Sequence, residues 1–265
     1  MNVKKLFDVS NKVIILTGAG GLLGTQYAEG LCQAGANIVL ADLDFVRCKK
    51  QADRLRTKYN IDILPIKLDV TDKESITNLV KETIKRFSRI DVLINNAAFQ
   101  EGQKERKVEF EEFTLESWNS VISVNMTGVF LCCQEVGKIM KKQKHGIILN
   151  IGSIYGLVAA DQRIYGKSGL NSSIAYASTK ASLINFTRYL ASHWRNTGIR
   201  VNILSLGGVE NNQNHEFIKR YSDKTMLGRM AKKEEYVGAV LFLTSDASSY
   251  MTGANVIIDG GWTAW

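Results

Sequence analysis

The sequence predicts a doubly wound α/β fold, a three-layer sandwich in which helices cover both faces of a seven-stranded, mainly parallel sheet. Short runs rich in Val, Ile and Leu alternate with longer helical patterns from residue 13 to residue 258, which is typical of βαβ units. The short runs are apolar along their whole length, as expected of strands that are covered on both faces. A glycine-rich turn directly follows the first run, as in many folds of this class.

The seven predicted strands are runs of four to six mostly apolar residues. They are residues 13–16, 37–41, 63–68, 90–94, 147–151, 199–204 and 255–258. The patterns between them predict helices at 22–34, 45–58, 72–87, 115–142, 174–193 and 233–243. Gly35 ends the first helix, and Thr71 or Asp72 can cap the third. Since no repeat, linker or low-complexity segment interrupts this order, we expect residues 1–265 to form a single domain.

Three segments lack clear periodicity, and each follows a predicted strand. They are residues 99–113, 157–173 and 210–226. Long irregular loops in a compact domain are usually functional or mobile, and ligands of doubly wound sheets bind beyond the carboxyl ends of the strands. We therefore expect these segments to gather at that edge and to shape a substrate pocket.

The composition argues against nucleic acid and against a membrane as partners. The chain of 265 residues has a formal net charge of +8, with 45% hydrophobic and 23% charged residues. Its basic residues are interspersed with acidic ones, as in residues 104–109, and form no stripe interleaved with aromatic residues, so we expect no nucleic acid as partner. The longest uncharged run, residues 117–134, is dotted with polar side chains, so we expect no membrane span. The expected partner is a small-molecule substrate.

The four cysteines lack the spacing of a metal site and have no histidine nearby, so we expect no bound metal. Free thiols such as Cys132 and Cys133 in an apolar run fit a reducing compartment. Residues 1–8 lack the apolar stretch of a signal peptide. The sequence therefore predicts a cytoplasmic protein.

The turn after the first predicted strand is rich in glycine and opens the first helix. Backbone amides at a helix start attract phosphate, and glycine allows a pyrophosphate to approach closely. A tight turn between a strand and a helix also favours glycine without any ligand. The candidate cofactor-binding residues in this turn are Gly18, Gly21, Leu22, Leu23 and Gly24.

Polar residues follow the next strands at the same edge of the sheet. Asp42 ends the second strand, where a carboxylate would accept hydrogen bonds from the adenosine ribose and repel a 2′-phosphate. Because neither Gly21 nor Leu43 is replaced by Arg or Lys, the sequence favours NAD(H) over NADP(H). Together with Asp42 and Leu43, the candidates that would contact adenosine are Asp69, Val70, Asn96, Ala97 and Ala98. The alternative is that these residues are only caps or turns.

Tyr176 and Lys180 lie four positions apart in the predicted helix 174–193 and therefore share one face. A free phenol has a pKa near ~10, and a neighbouring ammonium lowers that pKa by favouring the phenolate. The pair predicts a general acid or base that works near neutral pH. A surface helix with an ordinary Tyr and Lys is the alternative interpretation.

These residues, taken in order, resemble the short-chain dehydrogenases/reductases, a family with a single-domain Rossmann fold. The resemblance runs from Lys12 to Gly261, and no single motif carries it. Besides the glycine turn and the polar strand ends, it rests on Asn125 and on segments 150–153, 176–180, 198–202 and 259–261.

The resemblance implies an active site in which Ser153 polarises the substrate oxygen and Tyr176 exchanges a proton with it. Lys180 would bind the nicotinamide ribose and lower the pKa of the tyrosine, and Asn125 would hold a water molecule in a proton relay. The residues that would contact the nicotinamide half of the cofactor are Tyr176, Lys180, Gly207, Val209 and Asn211.

The chain departs from the family pattern in three places. Leu22 stands where the phosphate loop usually has glycine, and Leu206 and Asn211 replace a usual proline and threonine beside the nicotinamide. Ser153 and Tyr176 are separated by 23 positions, more than is usual, so we interpret residues 161–173 as an insertion beside the catalytic helix.

The leading hypothesis is an NAD(H)-dependent oxidoreductase that interconverts a secondary alcohol and a ketone. The insertion carries Arg163, Tyr165 and Lys167 instead of an apolar lining, which favours a polar, sugar-derived or anionic substrate. The alternative is a nucleotide-binding regulatory or scaffold protein of the same fold that has lost catalysis, as the three departures suggest.

The resemblance also implies a homo-oligomer, a dimer or a tetramer, assembled through helices 115–142 and 174–193. Trp262 and Trp265 are large apolar residues near the end of the chain. Because exposing them is unfavourable, we expect them to pack on a neighbouring subunit.

Overall fold

The computed structural model describes residues 2–265, and its centre is a sheet of seven strands. They are β1 (Val13–Thr17), β2 (Asn37–Asp42), β3 (Ile63–Lys67), β4 (Val92–Asn95), β5 (Gly146–Ser153), β6 (Ile199–Leu206) and β7 (Asn255–Ile258). The strands lie in the order β3-β2-β1-β4-β5-β6-β7, and every pairing is parallel. The predicted fold class and number of strands are confirmed.

Helices flank the sheet on both faces. They are α1 (Val3–Leu6), α2 (Leu22–Gln33), α3 (Phe45–Tyr59), α4 (Lys73–Phe87), α5 (Leu115–Ile122), α6 (Val129–Gln143), α7 (Ile174–His193), α8 (His215–Ser222) and α9 (Val237–Thr244). The chain builds outward from β1 to β3 in one direction and from β4 to β7 in the other. Such a reversal of strand order opens a crevice at the carboxyl edge of the sheet, where ligands bind.

The side chains of each central strand are divided between two hydrophobic cores. In β1, Ile14 and Leu16 pack in one core with Tyr27 of α2, whereas Ile15 packs in the other with Met140 of α6. All five are fully buried, and burial of such a side chain stabilises the fold by about 1.5–3 kcal/mol. Both faces of the strand are therefore apolar, which explains the continuous hydrophobic runs in the sequence.

The predicted helix 115–142 is not a regular α-helix. Residues Ser123–Gly128 between α5 and α6 form a π-helical segment, which places an extra residue in the turn. Asn125 lies in this segment, and its side chain donates to the Phe99 carbonyl at 2.9 Å and accepts from the Phe99 amide at 2.7 Å. The local winding thus turns a polar side chain inward to fix the loop that follows β4.

The three segments expected to be irregular contain local order. Residues 210–226 include α8, and short 3₁₀ turns occur in residues 99–113 and 157–173.

The expectation that Trp262 packs on another subunit is wrong, because its side chain is buried within the chain against Tyr221, with ring centroids 4.4 Å apart. Trp265 remains exposed. Within residues 2–265, no helix has the length and apolar character needed to cross a bilayer.

A chain of buried amides ties α7 to the middle of the sheet. The Asn95 side chain of β4 donates to Asn150 Oδ1 of β5 at 2.9 Å, and Asn150 Nδ2 donates to Thr187 Oγ1 of α7 at 2.9 Å. All three residues are buried. Because buried polar groups are destabilising when they lose their partners, this chain fixes how α7 lies on β5.

We expect Asn150→Ala to lower the free energy of unfolding by about 2–4 kcal/mol, because it leaves both Asn95 and Thr187 without a partner. Urea denaturation measures this change. The matched control is Asn119→Ala at an exposed position of α5, for which we expect a change within about 0.5 kcal/mol. Equal stabilities of the two variants would contradict a structural role for the buried amides.

Candidate active site

Two adjoining cavities lie at the carboxyl edge of the sheet. One has a volume of 400 Å³ and lies over the ends of β1, β2 and β3. The other has a volume of 760 Å³ and lies over the ends of β5 and β6, beside α7. They share Leu22, Leu23, Asn96 and Ala98 as lining residues. A single extended ligand can therefore reach from one cavity into the other.

The smaller cavity collects the candidate residues for the adenosine and phosphate end of a cofactor. It is lined by Gly18, Gly21, Leu22, Leu23, Gly24, Asp42, Leu43, Asp69, Val70, Asn96, Ala97 and Ala98. The sequence placed these residues at the ends of four different strands, and the fold brings them to one cavity.

The glycine turn leaves no room for side chains at two positions. Gly18 has a φ of +63°, and a Cβ there would lie 2.7 Å from the Ala97 Cα. A Cβ on Gly24 would lie 2.2 Å from the Gly18 carbonyl oxygen. Gly21 precedes α2, and no side chain caps this helix, so the amides of its first turn are available to an anionic ligand. The turn therefore fits the pyrophosphate of a dinucleotide, and Leu22 does not disturb its backbone because α2 begins at that residue.

Asp42 is held against the glycine turn. Its carboxylate accepts hydrogen bonds from the Gly20 amide at 2.9 Å and from the Asp44 amide at 3.0 Å. The Arg47 guanidinium of α3 donates to the Gly20 carbonyl at 3.1 Å, so a cation also lies at this end of the cavity. Sequence reasoning tested only the positions of Gly21 and Leu43 for a basic residue and missed Arg47.

Asp69 and Asn96 are fixed by local hydrogen bonds. The Asp69 carboxylate accepts from the Thr71 amide at 2.9 Å and from its hydroxyl at 2.7 Å, and these bonds lower the pKa of Asp69. The Asn96 side chain donates to the carbonyls of Thr17 and Gly18, each at 3.0 Å. Asn96 thus joins the end of β4 to the glycine turn.

The larger cavity contains three of the four candidate catalytic residues. Ser153 ends β5, and Tyr176 and Lys180 lie one turn apart on α7, where all three line the cavity. The Lys180 ammonium donates to the Ile151 carbonyl of β5 at 2.8 Å and lies 5.6 Å from the centroid of the Tyr176 ring. α7 begins at Ile174 because the Ser173 hydroxyl accepts from the Tyr176 amide at 3.2 Å.

The pKa values of Tyr176 and Lys180 differ from the expectation that Lys180 lowers the pKa of Tyr176. Burial raises the pKa of the Tyr176 phenol above its ordinary value, and a hydrogen bond with Ser153 partly opposes that rise. Burial also lowers the pKa of the Lys180 ammonium to about 8. The pair was expected to favour phenolate, but burial disfavours both charged forms. Tyr176 is therefore protonated at neutral pH and suited to donate a proton.

The remaining predicted residues divide into two groups. Gly207 and Val209 line the larger cavity. Asn125 and Asn211 line neither cavity. Asn125 is buried and bound to the Phe99 backbone, and its amide also lies 3.4 Å from the Thr179 hydroxyl of α7. Asn211 is exposed, and its backbone amide donates to the Gln213 side chain at 2.7 Å.

The lining of the larger cavity is more aromatic than the sequence suggested. The insertion packs Tyr165 on Phe217 of α8, with ring centroids 5.3 Å apart, and both line the cavity with Tyr155 and Tyr221. Arg163 of the insertion does not line the cavity and instead forms an ion pair with Asp161 at 2.8 Å. A different cation, Arg106 of the 99–113 segment, lines the cavity.

The described part of the chain, residues 2–265, has no group of three or more His, Cys, Asp or Glu residues that could hold a metal ion. All four cysteines are buried, and burial raises the pKa values of their thiols. The polar groups that line the two cavities include hydroxyls, amides, the carboxylates of Asp42 and Asp69 and the cations Arg106 and Lys180, a set that can bind a dinucleotide and move a proton.

Comparisons with known proteins agree with this geometry. A family model described as enoyl-(acyl carrier protein) reductase matches residues 18–263. The post-translational flagellin modification protein A of Campylobacter coli is 30% identical, over 96% of this chain and 99% of its own length. The sorbose reductase of Candida albicans is also 30% identical, over 99% of this chain and 90% of its own.

Among solved structures, a gluconate 5-dehydrogenase from Burkholderia cenocepacia, crystallised with NADP and tartrate, matches with a TM-score of 0.89. It is 28% identical, and the match covers 100% of both chains. The chain therefore belongs to the short-chain dehydrogenase/reductase family, a family of alcohol–ketone oxidoreductases whose fold binds a nicotinamide cofactor.

Proposed function

We propose that this protein is an NAD(H)-dependent dehydrogenase/reductase that interconverts a secondary alcohol and a ketone on a small, polar, sugar-derived substrate. One observation carries the proposal: Ser153, Tyr176 and Lys180 line a single cavity that adjoins the glycine turn. A dinucleotide with its phosphates on that turn would present its nicotinamide to these three side chains.

Each of the three side chains has a role that follows from its chemistry. A nicotinamide bound here would supply or accept the hydride. In the reducing direction the carbonyl carbon gains this hydride, Tyr176 releases its phenol proton to the carbonyl oxygen, and a secondary alcohol forms. Ser153 donates a hydrogen bond to the same oxygen, and Lys180 binds the ribose hydroxyls and stabilises the phenolate that remains. Oxidation reverses each transfer.

Asn125 is assigned a different part. Both polar atoms of its side chain are bound to the Phe99 backbone, and its amide approaches Thr179 on the catalytic helix. We propose that Asn125 positions the loop after β4 against α7. The predicted relay water on Asn125 stays a prediction.

The substrate class is supported by the cavity and by the names of the relatives. Amide side chains of the flanking loops, including Gln100, Gln103 and Gln213, line the larger cavity and can bind hydroxyl groups. Relatives are named as sorbose reductase, mannitol dehydrogenase and D-threitol dehydrogenase, and a similar structure is a gluconate 5-dehydrogenase. These names all refer to polyhydroxylated compounds.

The choice of NAD(H) is supported by the Asp42 carboxylate, which a 2′-phosphate would have to approach. Arg47 favours the opposite choice, because its guanidinium lies at the Gly20 carbonyl beside Asp42. Similar proteins are named as NADP-dependent. We assign NAD(H) because Asp42 is oriented by two backbone amides, whereas the Arg47 side chain is 64% exposed and pairs with Asp44.

We also propose that residues 1–265 form one domain and that the chain assembles as a dimer or tetramer through α5, α6 and α7. The sheet draws its strands from residue 13 to residue 258, which supports a single domain. The three helices expose large apolar side chains, which supports an interface. They are Leu115, Phe130, Ile174 and Tyr189.

Removing the phenol hydroxyl tests the proposed proton donor. We expect Tyr176→Phe to lower kcat by about 10²–10⁴-fold, the usual contribution of a general acid, with little change in NADH affinity measured by fluorescence titration. The matched control is Tyr250→Phe, which removes the same hydroxyl from a fully exposed position outside the proposed interface. A Tyr176→Phe enzyme with full turnover would show that another group supplies the proton.

The depressed pKa of Lys180 predicts a pH dependence of stability. Between the folded pKa of about 8 and the unfolded value near ~10.4, the unfolded chain binds more protons at Lys180. Its contribution to the free energy of unfolding therefore rises with pH across this window, by about 3 kcal/mol. Denaturation from pH 7 to pH 11 should show this rise for the wild type and lose it in Lys180→Met.

The control for this measurement is Lys85→Met, because Lys85 is 75% exposed and should leave the pH dependence of the wild type in place. Parallel stability curves for the wild type and Lys180→Met would contradict burial of a charged ammonium at this position.

The cofactor assignment predicts tighter binding of NADH than of NADPH. We expect Asp42→Ser to narrow the ratio of the two dissociation constants by about tenfold or more, since it removes a carboxylate that repels the 2′-phosphate. Asp53→Ala, at an exposed position of α3, should retain the wild-type ratio. A wild-type protein that binds NADPH at least as tightly as NADH would contradict the assignment of NAD(H).

A further inference from the structure

The larger cavity contains a cation that has no carboxylate partner among residues 2–265 and that the proposed chemistry does not use. Among its lining residues, Arg106 and Lys180 are charged, and none is Asp or Glu. Lys180 is bound to the Ile151 carbonyl and assigned to the cofactor ribose. Arg106 belongs to neither the glycine turn nor the catalytic helix.

Arg106 is held in place by contacts with two residues of the insertion, Asn171 and Tyr165. Its Nε donates to the Asn171 carbonyl at 3.0 Å, and the Asn171 amide donates back to the Arg106 carbonyl at 2.7 Å. Its guanidinium lies 5.3 Å from the centroid of the Tyr165 ring, within the range of a cation–π contact. The side chain is half-buried, so its direction is set by the folded loops.

Within residues 2–265, nothing forms a hydrogen bond or an ion pair with the outer edge of this guanidinium. The interactions of Arg106 within residues 2–265 are with Asn171 and Tyr165, and neither partner is a carboxylate. Nη1 and Nη2 make no hydrogen bond within the described chain. Glu101 is the buried acidic residue nearest to Arg106 in the sequence. Its carboxylate accepts a hydrogen bond from the Ser173 hydroxyl. A half-buried cation without a counter-ion is favoured by binding an anion from solution.

We infer that Arg106 binds a carboxylate of the substrate, so that the preferred substrates are hydroxy acids and keto acids rather than neutral polyols and ketones. A planar carboxylate matches the two free nitrogens of the guanidinium in a bidentate pair. The substrate would extend from Arg106 to Ser153 and Tyr176, all of which line the same cavity. This inference rests on the proposed function for the reacting end of the molecule.

The insertion explains why the cation lies there. Residues 161–173 separate Ser153 from the catalytic helix in the sequence, and they supply both the Tyr165 ring and the Asn171 backbone that hold Arg106. Lys104 and Lys107, in the same loop as Arg106, are exposed. The contacts between the 99–113 segment and the insertion therefore direct Arg106 into the cavity, whereas Lys104 and Lys107 remain in solvent.

The test compares each acid with a neutral compound of the same carbon skeleton, in binding and in turnover. The pairs are gluconate with sorbitol, tartrate with threitol, and 3-hydroxybutyrate with butane-1,3-diol. Calorimetric titration of the full-length protein with NADH present measures affinity without requiring turnover. We expect at least one acid to bind about 10–100-fold more tightly than its neutral counterpart, the usual range for a charged hydrogen-bonded pair.

Substitution of the guanidinium should abolish this preference. We expect Arg106→Gln to lower the acid-to-neutral ratio of affinities by about 10–100-fold, mainly through KM in the corresponding kinetics, and Arg106→Lys to restore part of it. Lys107→Gln removes a neighbouring exposed charge and should retain the wild-type ratio. If Arg106 has only a structural role, Arg106→Gln would weaken the binding of acids and of neutral compounds equally. That outcome would overturn the inference.

The binding arm separates this inference from the proposed function. Acids that bind through Arg106 without any turnover would contradict the proposed function and leave the carboxylate site standing. Turnover of neutral compounds with no preference for any acid would support the proposed function and overturn the carboxylate site.

Discussion

The active-site geometry depends on the close packing of α7 against the carboxyl end of β5. A buried ammonium, that of Lys180, donates to the Ile151 carbonyl at 2.8 Å. A Cβ on Gly156 would lie 2.6 Å from the Lys180 carbonyl oxygen, so the chain leaving β5 must pass directly over the helix. This contact places Tyr176, one turn earlier, in the same cavity as Ser153, which ends the strand.

The same burial that fixes the geometry sets the charges. It lowers the pKa of Lys180 to about 8 and raises the pKa of Tyr176, so the protein stabilises a neutral phenol beside a cation that is close to losing its proton. A group that binds beside this pair and carries negative charge would favour the ammonium again. The protonation state of Lys180 therefore depends on the charge of the ligand that enters the cavity.

Much of this arrangement could be predicted from the sequence. Continuous apolar runs indicated a sheet covered on both faces, and strand ends marked by Asp42, Asp69 and Asn96 indicated one ligand edge. These features are local in sequence, and a parallel sheet gathers all its carboxyl ends at one edge. The bounds of α7, residues 174–193, were also predicted as observed.

What the sequence could not show depends on contacts between distant segments. The bonding of Asn125 to Phe99, the intramolecular packing of Trp262 on Tyr221, and the position of Arg47 beside Gly20 each join residues from separate segments. Arg106 is the clearest case, because nothing in the run of charges at residues 104–107 distinguishes it from its neighbours. Its burial comes from Tyr165 and Asn171, which lie about sixty positions later in the chain.

The most direct test of the central claim is a crystal structure of the protein with bound NADH. The account predicts that adenosine occupies the cavity beside Asp42 and that the nicotinamide C4 lies close enough to Tyr176 and Ser153 for a substrate carbon to sit within about 3.5 Å of it. A dinucleotide bound elsewhere, or one whose nicotinamide points away from Tyr176, would contradict the account.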